Sequence, residues 1–114
     1  MQAKQRKIGI LSKVDLRDGV DEKEAMILGG EYFIIFVSGC GTPGRPIDRG
    51  YHWELEMSIG YAAQKADENI KIDKKTGQIS LKGRPTLNNP VEELINYDGR
   101  APIYSSYQKE MFNE

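Results

Sequence analysis

The sequence predicts an α+β fold, a single domain over residues 1–114 in which a helix packs on an antiparallel sheet of three to four strands. Three observations carry this. YHWELEMSIGY, residues 51 to 61, alternates apolar and polar side chains at the period of a half-buried strand. NIKIDKKTGQISLK, residues 69 to 82, brackets a polar turn between two short apolar arms, as a hairpin does. DEKEAMILGGEYFIIFV, residues 21 to 37, repeats apolar residues at helical spacing and opens with acidic residues that suit the positive end of a helix dipole.

In chain order, KIGIL, residues 7 to 11, reads as an edge strand. Between 21 and 37, Ala25, Leu28, Tyr32, Ile35 and Phe36 would line one helix face. Gly29 and Gly30 oppose a continuous helix, since each costs about 1 kcal/mol relative to alanine. The rival is a short helix followed by a strand over residues 32–37, rich in β-branched and aromatic side chains. One helix across the sheet is preferred, the paired glycines admitting close contact with the strands. SGCGTPGRPIDRG, residues 38 to 50, has the glycines and prolines of a connector turning from helix to strand.

In the strand from Tyr51, the residues Tyr51, Trp53, Leu55, Met57, Ile59 and Tyr61 are expected against the core and His52, Glu54, Glu56 and Ser58 toward solvent. The hairpin places Ile70, Ile72, Ile79 and Leu81 on one face, with Gly77 supplying a left-handed turn residue. With the preceding strand it makes an antiparallel meander. NNPVEELINYDG, residues 88 to 99, predicts a second helix with Asn89 as N-cap, Pro90 at the first position, Glu92 three residues after the cap and Gly99 past the end. The tail from Arg100, with Ile103, Tyr104, Tyr107, Met111 and Phe112, is expected to pack on the body or on a second subunit.

Composition narrows the functional classes. Sixteen basic against 17 acidic residues leave a net charge of −1, without the uncompensated cations that grip phosphate backbones, which argues against a nucleic-acid-binding role. The longest apolar run, Tyr32 to Val37, is far below the roughly 20 residues that span a bilayer, so no membrane association is expected. With a basic opening but no long apolar stretch behind it, the start does not read as a signal peptide, and a lone cysteine suits a reducing compartment; the expectation is cytoplasmic.

Few residues invite chemistry. Cys40, the only cysteine, and His52, the only histidine, would need to meet across the loop to form a nucleophile and base, and no third partner is evident. A small apolar cysteine at a glycine-rich corner is the stronger reading. GCGTPG lacks the lysine of a P-loop, although loop amides with Arg45 or Arg49 can hold an anion. His52, Glu54 and Glu56 point one way along a strand, yet a metal needs another ligand from a second element, for which Asp48 and Asp73 are the candidates. The chain is read as non-enzymatic, with no cofactor and no metal. Asp48, His52, Glu54 and Glu56 are the candidate partner-binding residues. Cys40, Arg45 and His52 are the ligand-binding set of an alternative reading, a small-ligand or metal-binding module using a concave sheet face.

The segment IKIDKKTGQISLKG, residues 70 to 83, behind a Trp-bearing alternating strand and a helix beginning VDEKEA, resembles small bacterial immunity proteins of polymorphic toxin systems. That resemblance covers residues 20–97 and implies a cystatin-like or NTF2-like helix-on-sheet fold and an inhibitor that occludes a toxin. An acidic face of Glu54 and Glu56 with Asp48 would then meet a basic partner, speeding encounter. A homodimer joined through the tail or a sheet edge would coexist with any of these functions.

Overall fold

The computed structural model describes residues 8–38, 41–60 and 64–97. It has the expected α+β architecture, with a long helix laid against an antiparallel meander. Helix α1, Glu22–Phe36, is continuous through both glycines. Its start is fixed by a capping box: the Asp21 carboxylate accepts from the Glu24 amide and the Glu24 carboxylate from the Asp21 amide. Such a cap contributes about 1 kcal/mol. The other Glu24 oxygen accepts from the Asp15 amide, tying the helix to a 3-10 turn at Leu16–Asp18.

Ala25, Leu28, Tyr32 and Phe36 are buried as the spacing predicts, and Phe33 joins them. Gly29 is where helix and sheet come closest, since a Cβ there would lie 2.5 Å from Leu55 Cδ2. The buried Tyr32 hydroxyl donates to the Pro85 carbonyl at 2.7 Å, so the ring enters the core without an unpaired polar group.

Among the described residues seven short strands follow: β1 (Gly41–Pro43), β2 (Ile47–Asp48), β3 (His52–Leu55), β4 (Met57–Ile59), β5 (Gln64–Lys65), β6 (Ile70–Asp73) and β7 (Ile79–Ser80). They pair antiparallel in two sheets, β1-β4-β5 and β2-β3-β6-β7. In chain order the segments 41–48, 52–59, 64–73 and 79–80 are successive neighbours, and the longer ones break at one level. Between the pairs Pro43↔Met57 and Ile47↔Glu54, three residues face two; between Ser58↔Lys65 and Leu55↔Ile70, four face two. Extra residues in one strand interrupt its ladder as bulges do. They divide one meander into two sheets.

The predicted strand over 51–61 is therefore two strands, parted at Glu56. Its alternation survives the break, with Leu55 and Met57 buried and Trp53 and Ile59 partly so. Tyr51 is a correction: it is 90% exposed, because it sits in the turn joining β2 to β3, where the Arg49 amide donates to the His52 carbonyl and Gly50 has φ +93°. Tyr61 lies outside the described residues. The glycine- and proline-rich connector is corrected in part, since residues 41–43 and 47–48 are strands paired to β4 and β3. At Gly41, with φ +122°, a Cβ would lie 2.2 Å from the Ser58 carbonyl oxygen, so a glycine is needed for that pairing.

The hairpin forms as predicted. Ile70, Ile72, Ile79 and Leu81 are all buried, and each fully buried aliphatic side chain contributes about 1.5–3 kcal/mol. Asp73 accepts from the Lys75 and Thr76 amides and Gly77 closes the turn at φ +81°. Residues 8–11 are helical, not an edge strand: the Ser12 amide donates to the Ile8 carbonyl, and the turn carries Leu11 into the core. Helix α2, Pro90–Asn96, starts where predicted but is capped differently. The Asn89 side chain makes no cap bond; the Asn89 backbone N–H donates to the carboxylate of Glu93, not Glu92. Gly99 and the tail lie outside the described residues. Among the described residues no helix is long and apolar enough to cross a membrane.

Candidate functional site

The face of β2-β3-β6 turned away from α1 carries a connected polar cluster. Pairing sets Ile47, Glu54 and Lys71 in one cross-strand row and His52 opposite Asp73, while Trp53, Leu55, Ile70 and Ile72 look toward the helix. At its centre is Glu54, whose side chain is only 16% exposed. One oxygen accepts from Asn69 Nδ2 at 2.7 Å; the other lies 3.2 Å from His52 Nε2 and 3.7 Å from Arg49 Nε. The Asn69 hydrogen bond, with smaller help from His52 and Arg49, holds the carboxyl below its ordinary pKa against the opposing effect of burial. The result is an acceptor that is ionised near neutrality and has a fixed direction, suited to recognition and unsuited to giving up a proton there.

Asp48 does not share this face. It stands opposite Trp53, one residue out of phase with Glu54, and binds the Lys74 ammonium and the Gly50 amide. The bond to Lys74, and next that to Gly50, lowers its pKa. Lys74 Nζ lies 4.5 Å from the centre of the Trp53 ring, whose Nε1 donates to the Val20 carbonyl, so Asp48 belongs to a bracket that fastens the segment before α1 to the sheet. A cation over an indole face adds electrostatic attraction to that bracket.

Glu56, at the break, pairs with Lys65 at 2.9 Å. The expected acidic face of Glu54 and Glu56 with Asp48 is thus dismantled: one carboxylate lies on another face, and the other two have cationic partners. Arg45 is 84% exposed and reaches Glu22 of α1 at 3.8 Å, and among the described residues no hydrogen bond or ion pair joins it to His52. Cys40 lies outside the described residues. Among the described residues no group of three or more His, Cys, Asp or Glu is placed to hold a metal. The sheet's inner face is covered by α1, with Leu55, Ile70 and Ile72 fully buried.

Sequence reasoning missed Asn69, the strongest partner of Glu54, and weighed Arg49 only for anion binding. Fifteen residues separate Glu54 from Asn69, and only the β3–β6 register joins them. Neither a family model, nor a curated protein, nor a solved structure matches the chain.

Proposed function

We propose that the chain is a small non-enzymatic binding protein, an immunity-type inhibitor that docks on a protein toxin through the outer face of β2-β3-β6 and covers its working site. The observation that supports this is the Arg49–His52–Glu54–Asn69 cluster. Its side chains are held in one arrangement before any partner arrives, so less ordering is required on association. With cation and anion side by side, the face selects a partner by matching donors and acceptors more than by attracting opposite charge from afar.

Affinity capture of the partner from source cells, followed by reconstitution, tests the reading. His52 is the only histidine, so its carbethoxylation reports on this face alone. The captured protein is expected to arrest growth when expressed by itself, to be neutralised by this chain but not by Glu54→Lys, and to shield His52 from the reagent. A neutralising complex in which His52 reacts as fast as in the free chain overturns the docking face; a partner without toxicity overturns the inhibitor role.

A further inference from the structure

Helix α1 has a second face, turned away from the sheet. Met26 and Ile34 are 45% and 54% exposed there, with Gly30 midway between them, one helical turn from each. Gly30 has no reason within the protomer. A Cβ built on it meets nothing within 4 Å, whereas one on Gly29 would strike Leu55. A glycine that weakens its helix and serves no internal contact leaves a notch in a helix surface, and here large apolar side chains flank the notch.

We infer that this notch is the centre of a homodimer interface, where the α1 helices of two copies cross antiparallel about Gly30. The face is self-complementary. Met26 stands as far before Gly30 as Ile34 stands after it, so a two-fold axis through the glycine sets Met26 on the partner copy's Ile34 at both ends. The two glycines meet in the middle and let the backbones approach, as small residues do where helices cross closely. Charge agrees with this direction. The same two-fold carries Lys23 to the C-terminal end of the facing helix, whose last turn has no basic residue, and a cation is favoured at that negative dipole end. No ion pair engages Lys23 among the described residues. A patch this small gives a concentration-dependent dimer rather than an obligate one. It lies across the molecule from the Glu54 cluster, so self-association and partner binding do not compete.

Sedimentation equilibrium over graded concentrations, with helicity checked by circular dichroism, reads the association. The wild-type chain is expected to show a monomer–dimer equilibrium, and Ile34→Glu and Met26→Glu each to weaken it roughly tenfold or more at unchanged helicity. In a Cys40→Ser background, Gly30→Cys is expected to oxidise to a disulfide dimer much faster than a cysteine placed at exposed Lys82. A wild-type chain that stays monomeric at every soluble concentration overturns the inference, including one that instead sediments with lipid vesicles. So does a dimer indifferent to both glutamates, or equal oxidation at the two cysteine positions.

Discussion

Gly29 and Gly30 adjoin in the sequence, yet a methyl group on the first would displace a core side chain and on the second would touch nothing. Replacing Gly30 by alanine therefore removes a helix penalty without a packing cost, and stability should rise by about 0.5–1 kcal/mol. The same change at Gly29 forces the fully buried Leu55 aside, an overpacking that costs about 1–3 kcal/mol and cancels or exceeds the helix gain. Urea unfolding at a dilution that keeps the chain monomeric checks the order: Gly30→Ala above wild type, Gly29→Ala below Gly30→Ala. Equal midpoints for the two variants would mean that Leu55 yields freely. At this scale the sequence was legible where the cause is local. Paired glycines announced a close approach, but which one makes it depends on the helix's rotation against β3.

Among the elements, the β6–β7 hairpin was the most legible because its determinants are neighbours in the chain. Asp73 takes up the turn amides, Gly77 supplies the positive φ, and apolar arms follow at period two. Gly77→Ala should lose about 1–2 kcal/mol, since a side chain in left-handed backbone carries that penalty. The added Cβ would also meet the Leu16 side chain at 2.9 Å, pressing on the 3-10 turn. Thermal unfolding of the variant measures the loss, and an unchanged midpoint would rule out this turn conformation in solution. The strand from Tyr51 was legible as an alternation but not as two pieces. Its break arises from surplus residues in the neighbouring segments 44–46 and 66–69, whose effect is felt only through pairing. Residues 7–11 misled for a related reason, an apolar run too short to distinguish a strand from a helical turn that buries Leu11.

Over the whole molecule, four hydrogen-bonded carboxylates are shifted in one direction. Asp15, bonded to Arg17, is lowered to about 2, and Asp48, Glu54 and Asp73 are all held below their ordinary values by hydrogen bonds. A folded-state pKa below the unfolded one contributes stability that is fully present above the unfolded value and disappears as pH falls through the folded one. Stability should accordingly hold down to the ordinary carboxylate range near pH 4 and decline below it. Replacing Glu54 by Gln and Asp73 by Asn together should flatten that decline, which urea midpoints on either side of the range would reveal. A variant as acid-sensitive as wild type would place the titrating groups elsewhere. The α+β class, the amphipathic helix with its acidic start and the tight hairpin follow from contacts a few residues apart, where periodicity and turn chemistry act directly. The separation of Asp48 from Glu54, the meeting of Glu54 with Asn69 and the open flank at Gly30 do not, because each depends on how distant segments are aligned, and in a sheet a one-residue shift of register exchanges the two faces.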